Sequence, residues 1–257
     1  MKIVFIGAGN LAGCVSLEMQ RVGMTIVQVY SRTDSNAEAL AKKVNCPWTS
    51  NLNEIITDGD LYIFSLKDAA LPEVISRVKP NNGLWVHTAG SVPMSVFEGH
   101  ARRYGVFYPL QTFTRKRRVH LDGTPIFLEV HNPEDMKMLK KIAIALSGNA
   151  QETDSEKRRH IHLAAVFACN FSNHMYTLAA RLLEEQGIPY NVMLPLISET
   201  AGKINDLTPI EAQTGPAVRF DKDIMGGHLG MLANEPSMQT IYKLLSQNIY
   251  KEKYSNE

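Results

Sequence analysis

The chain has 257 residues, a formal net charge of +1, and a hydrophobic fraction of 44%. This near-neutral charge gives no electrostatic basis for binding nucleic acid or an acidic membrane surface, so neither is predicted as a partner. The three cysteines, Cys14, Cys46 and Cys169, lack the spacing of a disulfide framework or a metal site, and they fit a reducing cytoplasm. No apolar run reaches the roughly 18 residues that a membrane span needs, and no targeting segment is expected.

From the first residue to residue 152, short apolar runs alternate with amphipathic helical stretches. This alternation predicts a parallel sheet with crossover helices, and so a doubly wound α/β Rossmann domain over residues 1–152. Residues 153–257 carry helical patterns only and are predicted to form a second, all-α domain.

The first motif follows the apolar run Ile3–Ile6 and has the pattern G-x-G-x-x-A. The first glycine permits a tight turn, the second lets a pyrophosphate approach the backbone, and the small alanine lets the next helix pack on the sheet with its N-terminus toward the phosphates. An ordinary glycine-rich turn is the alternative. The predicted dinucleotide-binding residues of this motif are Gly7, Gly9, Asn10, Leu11 and Ala12.

The end of the second predicted strand, Thr25–Tyr30, indicates which dinucleotide binds. A free ribose 2′-hydroxyl is usually held by an acidic residue here, but the sequence is Ser31-Arg32-Thr33. Two hydroxyls and a guanidinium suit a 2′-phosphate, so NADP(H) is the predicted cofactor. In the alternative, Arg32 is a solvated turn residue and Asp34 contacts the ribose.

Three later strands end in small, hydroxylated or polar residues. Because loops at the carboxyl ends of parallel strands border the ligand crevice, two of these exits are predicted to line the nicotinamide side, and Gln111 in the third is assigned to substrate. Each exit alone is also compatible with a plain turn or surface pair. The residues assigned to the nicotinamide side are Ser65, Leu66, Lys67, Thr88, Ala89 and Gly90.

One dense basic run, Arg115-Lys116-Arg117-Arg118, follows the third exit. Four cations in a neutral chain are interpreted as a solvated loop.

The second half begins with Thr153-Asp154-Ser155-Glu156, which matches a capping box, and has no Gly or Pro from Glu156 to Gln186. We predict one helix of about thirty residues, about 45 Å long, with a buried apolar middle. Its polar residues either tie helices together or line a wet cleft, and the upstream cofactor domain favours the cleft. At α-helical spacing they form one stripe: His162, Asn170, Asn173 and Thr177, with His174 one turn beyond Asn170.

The last part is predicted to contain three more helices, with a loop at Leu207–Gly215. The turn Thr214-Gly215-Pro216 and Arg219 are assigned to an anionic group of substrate or cofactor; alternatively Arg219 only pairs with Asp221, a candidate N-cap. His228 lies two turns after Asp221 and is assigned to the same side. The pair Gly226-Gly227 indicates a close helix or subunit contact.

Four segments together resemble a known family: GAGNLAG at residues 7–13, FYPLQTF at 107–113, HLAAVFACNFSNH at 162–174 and TGPAVRFD at 214–221. In that family a Rossmann-like domain precedes a helical domain of unknown function, DUF2520, and the resemblance covers nearly the whole chain. More widely, the chain resembles the superfamily of pyrroline-5-carboxylate reductase, 6-phosphogluconate dehydrogenase and F420 (deazaflavin)-linked NADP oxidoreductases, which share Asn10. The family usually has Arg-Gly-Asp where this chain has Arg219-Phe220-Asp221.

The resemblance implies NADP binding, a 6-phosphogluconate dehydrogenase-like C-terminal domain that builds a homodimer, and a substrate cleft between domains. The first hypothesis is NADPH-dependent reduction of a small carbonyl or imine compound: a 2-keto acid such as ketopantoate, a cyclic imine, or a deazaflavin. His162 and His174 are the candidate proton donors, since histidine titrates near neutrality, and Asn170 would orient them. The remaining substrate assignments are Gln111, Asn173, Thr214, Gly215, Arg219, Asp221 and His228.

A second hypothesis comes from a missing residue type. Superfamily relatives often use a lysine as proton donor, and the apolar middle of this long helix contains none. The alternative is therefore a non-catalytic NADP-binding sensor or scaffold dimer.

Overall fold

The computed structural model describes residues 1–114 and 116–254. The chain divides into two compact units, unit 1 at Met1–Asn170 and unit 2 at Phe171–Glu257. The composition change placed the domain boundary after residue 152, where the strands end. The first helix beyond that point belongs to unit 1 because its side chains bond to the sheet and its loops.

Unit 1 contains one sheet of eight strands in the order β3-β2-β1-β4-β5-β6-β7-β8. All neighbouring pairs are parallel except β6 and β7. The doubly wound Rossmann sheet is thereby confirmed, with two strands at one edge, β7 and β8, that run opposite to the other six. The strands are β1 (Lys2–Ile6), β2 (Thr25–Tyr30), β3 (Trp48–Thr49), β4 (Leu61–Phe64), β5 (Leu84–His87), β6 (Tyr104–Pro109), β7 (Ile126–Val130) and β8 (Ala150–Glu152).

Helices of unit 1 cover both faces of the sheet. Successive β1 residues point to opposite faces, so Ile3 and Phe5 join one apolar cluster while Val4 and Ile6 join the other. A strand buried on both faces reads as a continuous apolar run, which is why the sequence pattern located it. The helices are α1 (Asn10–Arg21), α2 (Asp34–Val44), α3 (Leu71–Arg77), α4 (Pro133–Ser147) and α5 (Ser155–Ala165).

The long helix predicted from Glu156 is observed as α5, a π-helical segment at Val166–Phe171 and α6 at Ser172–Glu184. The predicted stripe assumed α-helical spacing throughout, and a π-helical turn is wider. The predicted capping box is wrong, because the N-cap is Asp154, whose carboxylate accepts a hydrogen bond from the Lys157 N–H at 2.7 Å.

The predicted burial of this helix is also wrong for the single chain. Leu163 is 56% exposed and Phe167 is 63% exposed, and α6 has no buried residue. An apolar face predicts burial against another surface, but in the single chain both side chains keep more than half of their surface exposed.

Unit 2 is all-α, as predicted. The stretch 207–215, expected as a loop, contains a short helix because Thr208 and Glu211 form a capping box. None of the helices in the described ranges combines the length and the apolar character needed to cross a membrane. The helices are α6, α7 (Leu194–Lys203), α8 (Pro209–Ala212), α9 (Lys222–Met231) and α10 (Pro236–Tyr254).

Candidate functional site

The turn after β1 brings three strand ends together. Gly7 has φ +118°, and a Cβ at this position would lie 2.1 Å from the Ser65 carbonyl oxygen. The Gly7 N–H donates to the Tyr30 carbonyl at 2.8 Å, and the Ser65 N–H donates to the Ile6 carbonyl at 2.8 Å. Only glycine fits both this conformation and this contact, so the ends of β1, β2 and β4 meet at one point.

The second glycine of the motif faces open space. Gly9 is the N-cap of α1, and no described atom outside its neighbours lies within 4 Å of where its Cβ would be. The first turn of α1 contains no acidic residue, so its free N–H groups and helix dipole are available to an anion. Ala12 is completely buried against the sheet, and Leu11 packs beside it. This cradle fits the pyrophosphate of a dinucleotide.

Asn10 has a partner that the motif did not indicate. Its side-chain amide donates to the Phe113 carbonyl at 3.1 Å, which attaches the β6–β7 connection to the start of α1. Cys14, one turn on, donates to the Val119 carbonyl at 3.1 Å, and burial raises the pKa of its thiol. Glu18, one further turn on, is 1% exposed on its side chain and faces Arg118 at 3.5 Å.

The β6–β7 connection thus lies along one stripe of α1 and borders a cavity of about 270 Å³. Of the predicted basic run, Arg115 lies outside the described residues. Arg117 and Arg118 are exposed, as expected for a solvated loop, and line the cavity.

The end of β2 presents the predicted 2′-phosphate residues beside the Gly7 turn. The Ser31 N–H donates to the Thr49 carbonyl at 3.2 Å, and the Ser31 hydroxyl accepts from the Thr33 N–H at 3.4 Å. Arg32 is exposed and forms no ion pair with any described residue. Asp34, the alternative ribose ligand, is the first residue of α2.

The exits of β4 and β5 lie side by side in the parallel sheet. The Thr88 N–H donates to the Phe64 carbonyl at 3.3 Å, which joins the two strand ends. Ser65, Thr88, Ala89 and Gly90 are buried, Leu66 is partly buried and Lys67 is exposed. The Ser91 hydroxyl donates to the Asp68 carboxylate across the two exits. The sheet therefore places together the residues that the sequence assigned to the nicotinamide side.

His162 packs onto this edge and meets Tyr108, which the sequence analysis did not assign. The Tyr108 hydroxyl lies 3.0 Å from His162 Nδ1, and Tyr108 is 7% exposed at the end of β6. A Cβ on Gly90 would lie 2.5 Å from His162 Cγ, so the imidazole occupies the space that a side chain at Gly90 would fill. Burial raises the pKa of the Tyr108 hydroxyl, while the nearby Arg158 charge lowers it.

Arg158, one turn before His162 on α5, is completely buried. Its guanidinium donates to the Glu129 carboxylate and to the Val92 carbonyl. The Ser155 hydroxyl donates to the same carboxylate at 2.9 Å and accepts from the Met94 N–H at 3.0 Å. These bonds tie α5 to β7 and to the loop after β5, and so they set where His162 lies.

His87 lies beneath this edge at the end of β5. It is completely buried, its ring stacks on Phe97 with centroids 5.7 Å apart, and its Nδ1 accepts from the Ala89 N–H at 3.2 Å. Burial, with a smaller effect of the Arg158 charge, lowers the pKa of His87 to about 3, although the Pro93 carbonyl opposes this. His87 is therefore neutral at physiological pH.

The other predicted site residues of unit 1 are exposed. Gln111 uses its side-chain oxygen to accept from the Thr112 N–H at 2.8 Å, and Asn170 is the last residue of the unit. His174 and Asn173 are exposed on α6 in unit 2, where the Asn173 carbonyl accepts from the Thr177 hydroxyl at 3.3 Å. The catalytic roles of Asn170 and His174 and the substrate roles of Gln111 and Asn173 remain predictions.

The remaining predicted residues lie around the start of α9. Asp221 is the N-cap of α9, accepting from the Ile224 N–H at 3.2 Å. Phe220 has φ +51°, the left-handed conformation that favours the glycine usual in the family, so the turn keeps a glycine-like geometry. His228 Nδ1 lies 2.8 Å from the Tyr242 hydroxyl, which joins α9 to α10.

The predicted anion-binding turn, Thr214-Gly215-Pro216, precedes α9. Gly215 has φ +112°, and Thr214 and Arg219 are exposed. Beyond their own helix, Gly226 and Gly227 have no described atom within 4 Å of a built Cβ, so no other described element makes the predicted close contact.

Two family models match successive parts of the chain. Residues 2–86 match the family described as NADP oxidoreductase, coenzyme F420-dependent, and residues 124–249 match the domain of unknown function DUF2520. No curated protein matches the chain.

Solved structures cover nearly the full length. The "putative NADP oxidoreductase BF3122" from Bacteroides fragilis is 50% identical with a TM-score of 0.94, over 97% of this chain and 98% of that one. Protein TM1727 from Thermotoga maritima is 23% identical with a TM-score of 0.77, over 97% and 99%. The fold is also shared with 1-pyrroline-5-carboxylate reductase from Streptococcus pyogenes, 14% identical with a TM-score of 0.66, over 98% of both chains. The chain therefore belongs to the NADP oxidoreductase family in which a Rossmann domain of the coenzyme F420-dependent type is followed by a DUF2520 domain.

Proposed function

We propose that this protein binds NADPH at the carboxyl edge of the unit 1 sheet and reduces a small carbonyl or imine compound there. The observation that carries the proposal is the pair of glycines after β1. Gly7 is required by its contact with Ser65, whereas the space at Gly9 is open at the N-terminus of α1. The open space at Gly9 lets a pyrophosphate approach the backbone at the start of α1, which is the part that the second glycine has in a dinucleotide-binding turn.

The chain's own residues have distinct parts in this proposal. The first turn of α1 would bind the pyrophosphate, and Arg32 with the hydroxyls of Ser31 and Thr33 would bind the 2′-phosphate. The exits of β4 and β5 would border the nicotinamide, which supplies a hydride when bound. His162, held against Gly90, is the nearest candidate to deliver the accompanying proton.

Cofactor choice is tested by replacing Arg32. We expect Arg32→Ser to weaken NADPH binding by about 10- to 150-fold, because a charge-assisted hydrogen bond contributes about 1.5–3 kcal/mol, and to leave NADH binding within about twofold. Lys42→Ser is the matched control, since Lys42 is an exposed cation on α2 that pairs with Glu38. Isothermal titration of each variant gives the constants, and a native preference for NADH would contradict the proposal.

Turnover is tested by mixing the NADPH-loaded protein with 2-keto acids, including ketopantoate, with cyclic imines and with a deazaflavin, while following NADPH absorbance. Oxidation by one class identifies the substrate class. Tight NADPH binding without oxidation by any of them would instead support a sensor or scaffold that binds NADP.

We also propose that a second copy of the chain covers unit 2. In its described part, residues 171–254, the buried apolar side chains are Ala217, Leu232 and Met238, whereas Leu196 is 61% and Met231 is 85% exposed. A helical unit with this little apolar burial needs another surface to bury the rest. Analytical ultracentrifugation is expected to show a dimer, and a monomer at micromolar concentration would contradict it.

A further inference from the structure

We propose that Tyr108 and His162 form a proton relay, in which the Tyr108 hydroxyl is the buried proton source and His162 Nε2 hands the proton to the substrate. This inference rests on the proposed reductase function and adds to it a residue that no sequence motif assigned. Two geometric facts carry it: the hydroxyl–Nδ1 distance of 3.0 Å and the contact of the imidazole with Gly90.

The hydrogen bond determines which nitrogen of His162 carries the proton. A phenol keeps its proton at neutral pH, and among the described residues the Tyr108 hydroxyl has no other hydrogen-bond acceptor, so the proposal assigns the hydroxyl as the donor and Nδ1 as the acceptor. A neutral imidazole that accepts at Nδ1 carries its proton on Nε2. No residue in the described ranges forms a hydrogen bond with Nε2, which leaves that proton available to a ligand.

The position of the ring is set independently of Tyr108. The close approach to Gly90 places the imidazole at the exit of β5, beside Thr88 and the edge where the nicotinamide is proposed to bind. Arg158, one turn earlier on α5, attaches that helix to Glu129 and to the Val92 carbonyl. Replacing Tyr108 is therefore expected to change the protonation pattern of His162 while leaving its location.

Burial favours a protonated Tyr108 hydroxyl at neutral pH. Burial is the largest effect and raises its pKa, and Asp68 and Cys169 raise it further. Arg158 opposes them, but its charge is paired with Glu129. A phenolate formed during the reaction would be attracted to the same guanidinium.

The relay moves two protons in one direction. When the carbonyl or imine carbon is reduced, its oxygen or nitrogen gains an electron pair and forms a bond to the Nε2 proton. The Nε2–H bond breaks as the Tyr108 O–H proton moves to Nδ1, so the imidazole stays neutral and the negative charge passes to the Tyr108 oxygen. Water then gives a proton to Nε2 and leaves as hydroxide, and the Nδ1 proton returns to the phenolate.

The first test measures the tautomer of His162 without cofactor. In ¹⁵N NMR of the native protein, His162 is expected as the Nε2–H tautomer with Nδ1 accepting, and Tyr108→Phe is expected to shift the Nδ1 resonance. Tyr104→Phe is the matched control, since Tyr104 lies on the same strand, is also 7% exposed, and stacks on His131 instead. An Nδ1–H tautomer in the native protein, or equal spectra of Tyr108→Phe and native protein, overturns the relay.

The second test is the pH profile of single-turnover reduction by bound NADPH. The native rate is expected to change less than about twofold between pH 6 and 8.5, because a neutral relay does not lose its proton there. In Tyr108→Phe the relay has lost its proton source and only an imidazolium can donate, so its rate is expected to fall by at least about tenfold as the pH rises over that range. Parallel profiles for native protein and Tyr108→Phe overturn the relay.

An NADPH titration distinguishes failure of the proposed relay from failure of the proposed reductase function. Native protein that binds no NADPH, or binds it without any turnover, overturns the reductase proposal and with it the catalytic use of the pair. Native turnover with a Tyr108→Phe profile like that of Tyr104→Phe overturns only the relay. NADPH affinity within about twofold of native in Tyr108→Phe is expected, because Tyr108 is assigned no part in holding the cofactor.

Discussion

Buried His87 is expected to make the free energy of unfolding depend on pH. Its folded-state pKa is lowered from 6.5 to about 3, chiefly by burial, so the native protein keeps His87 neutral where an unfolded chain would protonate it. Below pH 6.5 the unfolded state therefore binds one more proton, and stability falls as the pH falls toward 3. Above pH 6.5 both states are neutral and the effect disappears.

The magnitude follows from the two pKa values. Each unit of separation corresponds to about 1.4 kcal/mol, so the full loss between pH 6.5 and pH 3 is roughly 5 kcal/mol. At pH 4.5 the loss is roughly 3 kcal/mol, a large fraction of the 5–15 kcal/mol typical of a folded domain.

The assay compares the native protein with His87→Asn by urea unfolding between pH 7.5 and 4.5. The asparagine oxygen is placed to accept from the Ala89 N–H as Nδ1 does, but it does not titrate. The variant loses ring packing on Phe97 at every pH, whereas only the native protein should lose the additional 3 kcal/mol on acidification. His100→Asn removes an exposed imidazole and serves as the control. Parallel pH dependences of native protein and His87→Asn would refute the reasoning.

Two further predictions concern contacts that hold the site. Gly7→Ala is expected to cost at least about 3 kcal/mol of unfolding free energy, because its Cβ would lie 2.1 Å from the Ser65 carbonyl oxygen at a positive φ. Gly9→Ala is expected to cost less than about 1 kcal/mol and to weaken NADPH binding. Equal shifts in melting temperature for the two variants would contradict this. Arg158→Met is expected to cost about 3–5 kcal/mol in urea unfolding, since it leaves the Glu129 carboxylate, 12% exposed, without its cation. Adding Glu129→Gln should recover part of that loss, and a single variant as stable as the native protein would show that the ion pair does not stabilise the fold.

The sequence pattern located the strands of unit 1 well, because a strand buried on both faces must be apolar throughout. The runs at Ile3–Ile6 and around Leu61–Phe64 are of this kind, and both proved completely buried. The two glycines of the first turn also predicted its structure, because paired glycines between an apolar run and an amphipathic helix are typical of a dinucleotide-binding turn. Local pattern did less well where apolar residues are exposed, as in α6, because periodicity shows which face is apolar and not what covers it.

The amino-acid sequence by itself determined the doubly wound sheet, the dinucleotide turn and the end of β2 where Arg32 lies, because each depends on residues close together in the chain. Only the tertiary structure decided that Tyr108 meets His162, that Gly90 makes room for the imidazole, and that Arg158 is buried against Glu129. These residues are separated by 29 to 72 positions and share no motif. Their proximity follows from the pairing of β5, β6 and β7 and from the packing of α5 on that sheet, which no local spacing records.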